Sequence, residues 1–138
     1  MTRIKAFAAV ALLALAAPAV PSLSWADEPG PGGTKPVVPK NGEETYRMVC
    51  QACHMADAKG ATGAGTFPAL AGNDKLGTAE YPIYMVVNGK GGMPYFYDTM
   101  TPQQIAEVVT YVRTHFGNAY KDPVTATQVK AIVDAREK

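Results

Sequence analysis

Cysteine is scarce in this chain of 138 residues: there are two, Cys50 and Cys53, and only two histidines and one tryptophan. So few thiols, three positions apart, exclude a disulfide scaffold, because a bridge between them would close a tiny loop and stabilise little. Four zinc ligands are also hard to assemble, since His54 and His115 are the only further Cys or His residues. Runs of like charge are missing, and the formal net charge is +1, so nothing points to nucleic acid. No apolar stretch reaches the ~20 residues needed to cross a bilayer. Alternating strand patterns and internal repeats are lacking as well.

What is present begins with a processing signal. Arg3 and Lys5 precede an uncharged apolar run from Ala6 to Ala17, and small residues then lead to Ser24-Trp25-Ala26. That order of charge, apolar core and cleavage pattern reads as a signal peptide over 1–26. Ala17-Pro18-Ala19 offers an earlier cut. Ala26 is preferred because the composition turns polar at Asp27. An uncleaved amphipathic anchor is the competing reading. Removal of 1–26 takes away two positive charges and no negative one, turning the net charge from +1 to −1. The mature chain is expected to be exported to the periplasm, with no transmembrane segment.

Residues 27–40 hold Pro29, Pro31, Pro36 and Pro39 among glycines, the composition of a flexible leader. The first helix is expected near Asn41, a capping residue with Glu44 three positions on. Tyr46 and Val49 share one face, and the helix runs into Cys50. Residues 59–65 read as loop. A short helix is expected from Thr78 or Glu80 to Val87, stopped by Gly89, with irregular chain through Gly92. The clearest helix is capped by Thr101, with Pro102 at its first position and Gln104 completing a capping box. Its stripe is Ile105, Val108, Val109, Val112 and Phe116, with His115 in its last turn and Gly117 as its stop. A final helix from Thr125 or Thr127 to Arg136 is weaker. The fold class is all-α with long loops, which in so small a domain imply that something else completes the core.

Cys50-Gln51-Ala52-Cys53-His54 supplies that element. In C-x-x-C-H, two thiols one turn apart can form thioethers with a haem, and the next histidine can reach its iron. A thioredoxin-like pair would open a helix after a strand, whereas here a helix precedes the cysteines. The cofactor expected is one covalent haem c with its iron. Six residues compete for the second axial position. Met48 and Met55 are too near His54 in sequence to reach the opposite side; Met85 packs in a helix; His115 suits a helix end. Met93, in Gly91-Gly92-Met93-Pro94, sits where glycines allow close backbone approach. Met100, just before the capped helix, is its rival.

Through Cys50 to His54, Phe67-Pro68-Ala69-Leu70, Asn88 to Pro94 and Thr101 to Phe116, the chain resembles the class I cytochromes c. It is most similar to the small cytochromes that serve bacterial periplasmic dehydrogenases. The resemblance covers most of Asn41 to Gly117. It implies a cytochrome c fold of three to five helices with long loops around one haem, in a domain spanning 41–117, with an extension over 118–138. The resemblance also implies that the Pro68 carbonyl accepts a hydrogen bond from the iron-ligating histidine. Leu70 would lie against the haem, and Gly42 and Tyr46 would meet the last helix at Val108 and Tyr111. The haem-binding set is therefore Cys50, Cys53, His54, Met93, Pro68 and Leu70, with His54 and Met93 on the metal. The expected role is one-electron transfer, not catalysis: a dehydrogenase as donor, an oxidase or another cytochrome as acceptor. A dedicated subunit of a dehydrogenase complex is the first alternative. An open-site haem sensor or peroxidase is the second. Lys59, Lys75 and Lys90 lie in loops that could face a partner, or simply solubilise the chain; the near-neutral balance gives little steering.

Overall fold

The computed structural model describes residues 38–63 and 65–136. The expected signal peptide over 1–26 and nearly all of the expected leader over 27–40 lie outside the described residues. Asn41 opens α1 (Gly42–Thr45): its side chain accepts from the Glu44 N–H at 2.9 Å. The Glu44 carboxylate accepts from the Lys40 N–H at 2.9 Å, one residue earlier than a strict capping box requires. The chain then widens into a π-type turn, Tyr46–Cys50, in which the Gln51 N–H reaches back to the Tyr46 carbonyl. One extra residue rotates the succeeding turn by about 100° relative to α1. The cysteines and His54, on α2 (Gln51–His54) and just before it, therefore present a different face from that of Gly42 and Tyr46.

Backbone with positive φ at Met55 and at the fully buried Ala58 folds the chain back after α2. Here the all-α expectation needs correction. Two short strands, β1 (Ala61–Thr62) and β2 (Thr66–Phe67), pair antiparallel with Ala61 opposite Phe67. Strands of two residues are too short to display alternation, so the sequence carries no sign of them. A 3₁₀ turn, Asp74–Gly77, leads to α3 (Glu80–Asn88), which Gly89 stops at φ +68°.

α4 (Pro102–Thr114) follows its sequence signals at the start. The Gln104 N–H donates to Thr101 Oγ1 at 3.2 Å and the Thr101 N–H to Gln104 Oε1 at 2.9 Å. The helix stops at Thr114, before the expected Gly117, and Phe116 and Gly117 both adopt positive φ in the turn beyond it. α5 (Ala126–Arg136) begins at a second box of the same kind, Thr125 with Gln128. The core runs through Ile83 and Val87 of α3, Ile105, Val108, Val109 and Val112 of α4, and Val129 of α5. α1 crosses α4 at Gly42, where any Cβ would run into the Glu107 carbonyl and lie 2.9 Å from Tyr111 Cβ. Only glycine permits that approach. Tyr46 packs beside it, its ring 5.9 Å from Tyr111 and 4.9 Å from Phe116. Among the described residues no helix is long and apolar enough to cross a membrane.

Candidate functional site

His54 ends α2 and is 7 % exposed. Its Nδ1 lies 3.0 Å from the Pro68 carbonyl. A carbonyl can only accept, so Nδ1 carries the proton and the lone pair sits on Nε2, the arrangement of a ligating imidazole whose other nitrogen is held by backbone. The Pro68 carbonyl is brought there by the loop around Gly60. Gly60, at φ +67°, lets the chain pass where a Cβ would run into the Phe67 carbonyl and lie 2.9 Å from the Pro68 oxygen. Its N–H donates to the His54 carbonyl at 3.1 Å. Ala58 holds the same loop: its carbonyl accepts from Leu70 N–H at 2.7 Å and Ala71 N–H at 2.9 Å. Tyr46 donates its hydroxyl to the Met55 carbonyl at 2.7 Å, and burial, with Cys50 adding to it, pushes that phenol up to about 12.

Both cysteines are free thiols and half-buried. Burial, with the neighbouring Cys53 second, pushes the Cys50 thiol up to about 12. No group of three His, Cys, Asp or Glu that could hold a metal stands together among the described residues. A haem asks for less, because its four ring nitrogens already hold the iron and the protein adds only axial atoms. Cys50 and several apolar side chains, including Val49, Leu70, Val86 and Phe96, pack on the core yet stay only partly covered. Free thiols, an imidazole with an open Nε2 and incompletely covered apolar walls all fit a covalent haem.

Met93 stands on a separate, ordered turn. Lys90 and Met93 exchange both backbone hydrogen bonds at 3.0 Å around Gly91 and Gly92. The stretch that reads as irregular is thus a two-residue reverse turn, with Gly91 at φ +60°. Gly89 backs it: a Cβ there would lie 2.5 Å from the Met93 carbonyl oxygen. Met93 is partly exposed. Met100, its rival, is 8 % exposed within the hydrophobic core, its N–H bonded to the Phe96 carbonyl at 2.9 Å. His115 is engaged at the end of α4: Nδ1 lies 2.9 Å from the Tyr111 carbonyl and the ring stacks on Tyr111 at 4.2 Å. Of the sequence-derived set, then, His54 meets Pro68 directly, Leu70 joins them through Ala58, and Met93 is presented on its own turn.

Two polar residues that the sequence reading passes over hold this frame. Asn118 donates to the Leu70 and Val112 carbonyls at 2.8 Å each and accepts from the Asn73 N–H at 2.9 Å, tying the loop after Pro68 to α4. Arg113 is fully buried and donates to the carbonyls of Leu76, Gly77 and Asp122. Its one sequence signal is position: a charge four residues after Val109, on the edge of the apolar stripe. Lys75 and Lys90 are exposed, and Lys59 lies 3.4 Å from Asp57.

A family model described as cytochrome c oxidase, cbb3-type, subunit III, matches residues 38–112. The chain is 34 % identical over 106 residues to the cytochrome c subunit of a quinone alcohol dehydrogenase from Gluconacetobacter polyoxogenes, covering 67 % of this chain and 22 % of that protein. It is 31 % identical over 110 residues to a fructose dehydrogenase cytochrome subunit from Gluconobacter japonicus, again 67 % of this chain and 22 % of the relative. With cytochrome c6 of Leptolyngbya boryana the identity is 37 % over 73 residues, 51 % of this chain and 85 % of that protein. The chain thus spans about a fifth of the length of the dehydrogenase subunits and most of the cytochrome c6. The match over more than half of the chain, with which the spacing of Cys50, Cys53 and His54 is consistent, settles the family: the chain belongs to the c-type cytochromes, electron-transfer proteins whose cofactor is a covalently bound haem with its iron.

Proposed function

We propose that this protein is a periplasmic one-electron carrier that accepts electrons from a dehydrogenase and passes them toward a terminal oxidase. In this reading Cys50 and Cys53 would anchor the cofactor, and His54 and Met93 would supply the chain's two ligands to its iron. The carrying observation is the His54 Nδ1 contact with the Pro68 carbonyl at 3.0 Å. It fixes the tautomer that leaves Nε2 free, orients the ring and raises its basicity. The haem supplies a single-electron couple between ferric and ferrous iron. Leu70, half-buried beside the core, contributes an apolar wall. Such walls exclude water and favour the less charged state, and a thioether from Met93 favours the ferrous state too. With His54 and Met93 both held by the iron, a substrate would find no place on it, and the protein would relay charge.

Anchoring in a dehydrogenase complex is the second reading, favoured by the relatives named as dehydrogenase cytochrome subunits. Copurification of a dehydrogenase with the matured chain at a fixed ratio selects it over a mobile carrier.

The test is the ferric optical spectrum of the matured protein and of Met93→Ala, followed by carbon monoxide added to the reduced forms. The expected result is a methionine–iron band that disappears in the variant, and carbon monoxide binding in the variant alone. Ready carbon monoxide binding by the unaltered protein overturns the carrier reading and points to sensing or peroxidase chemistry.

A further inference from the structure

The segment after the Met93 turn is Tyr95-Phe96-Tyr97, and it meets the far end of the chain. The Arg136 guanidinium sits 3.9 Å from the Tyr97 ring centroid and 5.6 Å from that of Tyr95, and the two rings lie 5.2 Å apart. α5, which ends at Arg136, is rooted in the core by the fully buried Val129, with Ile132 and Val133 packed against it. α5 also packs on α3, and α3 holds the middle of the same segment through the Phe96 N–H to the Val86 carbonyl at 3.0 Å. Residues 90–97 are thus held by the Lys90–Met93 turn at their start, by Phe96 on α3, by the packing of Phe96 and Tyr97 against the core, and by Arg136 over the two tyrosines.

We propose that α5 is a brace on the methionine loop, with Arg136 as a positioning residue that restrains Met93 through Tyr97 and Tyr95. This rests on the reading of Met93 as axial ligand. Opening of the loop frees the iron to an external ligand, so whatever holds Tyr97 controls how often Met93 leaves. A cation over an aromatic face at a solvent-facing site is worth enough to change an equilibrium roughly two- to fivefold.

The measurement is imidazole binding to the ferric holoprotein, followed optically at several imidazole concentrations. Wild type, Arg136→Ala, Arg136→Lys, Tyr97→Leu, the double variant Arg136→Ala/Tyr97→Leu, and Met93→Ala are compared. Expected are a roughly two- to fivefold tighter apparent affinity in Arg136→Ala and the same direction in Tyr97→Leu. The double variant should add little to either single change, because both remove one contact. Arg136→Lys should recover part of the effect. Wild-type affinity in Arg136→Ala overturns the brace when Met93→Ala binds imidazole much more tightly. So does a lowered thermal midpoint with unchanged imidazole affinity, which leaves α5 a merely structural role. Met93→Ala matching wild type overturns the ligand assignment itself, a distinct outcome read from the same titration.

Discussion

Replacing Arg113 by methionine should cost about 2–4 kcal/mol. The side chain is wholly buried and donates four hydrogen bonds: Nε to the Leu76 carbonyl at 2.8 Å, Nη1 to the Asp122 carbonyl at 2.6 Å, and Nη2 to the Gly77 carbonyl at 3.1 Å and Asp122 Oδ2 at 2.9 Å. Methionine fills similar volume and donates none of them. Leu76 is 2 % exposed, so its carbonyl would be stranded, at about 1–3 kcal/mol. Gly77 and Asp122 are exposed, and water can replace the arginine there at a smaller loss. Relief from burying a charge offsets part of the total. For a domain of this size the thermal midpoint should fall on the order of 10–25 °C. The assay is thermal and guanidinium unfolding of the matured haem protein. Arg113→Lys should recover less than half, because an ammonium lacks the planar fork that reaches three carbonyls at once. A loss below about 1 kcal/mol in the methionine variant would refute the reasoning, since the bonds would then merely balance the desolvation.

Acid gives an independent check on the same cluster. The Arg113 side-chain hydrogen bond, first, and a backbone bond hold the Asp122 carboxyl below its ordinary 3.8. A carboxylate with a depressed folded value stabilises fully above 3.8, and that contribution fades as the pH falls through the folded value. Arg113→Met should therefore remove part of the acid-dependent loss of stability below pH 3.8. The partner is solvent-exposed, so the effect should shrink with salt.

Gly42→Ala should lower stability by about 1–3 kcal/mol, because a methyl cannot fit against the Glu107 backbone without parting α1 from α4; denaturant titration measures it. Gly60→Ala, at φ +67° and pressed on the Phe67 carbonyl, should cost a similar amount, about 1–3 kcal/mol. By displacing the Pro68 carbonyl it should also weaken the hydrogen bond on His54 Nδ1; a less basic imidazole stabilises ferric iron less, so electrochemistry should record a higher potential. Met100→Ala should destabilise by about 2–5 kcal/mol through a core cavity yet keep the methionine–iron band; a band lost with Met100 and kept without Met93 would reverse the ligand assignment.

Much of this site is legible from short-range signals. C-x-x-C-H is one turn of helix, and Gly-Gly-Met-Pro is one reverse turn. Thr101, Pro102 and Gln104 specify the start of α4 from neighbours within four residues. The end of α4 is not so specified: positive φ at Phe116, a residue that gains nothing from it locally, is imposed by packing of its ring on Tyr46 and Tyr111. The same holds for Ala58, whose left-handed backbone is stabilised by the two N–H groups of Leu70 and Ala71 that meet its carbonyl. β1 and β2 exist because that return brings Phe67 alongside Ala61, a contact no period in the sequence encodes. Arg113 and Asn118 look like ordinary polar positions until chain 36 and more residues away supplies the Leu76, Gly77 and Leu70 carbonyls.

These long-range partners also bear on function. The loops that present Pro68 and Met93 are bonded within themselves, at the Ala58 carbonyl and across the Lys90–Met93 turn, and are tied to the helices as well. Asn118 draws Leu70 and Asn73 onto α4, Arg113 draws Leu76 and Gly77 onto it, and Phe96 hangs on Val86 of α3. Thr110 and Arg113 of α4 in turn take up Val124 and Asp122, which lead into α5. An iron that changes charge by one unit transfers electrons best when its ligands scarcely move. On the proposed ligand set, that constancy would rest on the buried Arg113 of α4 and on residues beyond the helix such as Asn118, so shortening the chain after Gly117 should disturb the iron's surroundings as well as the fold.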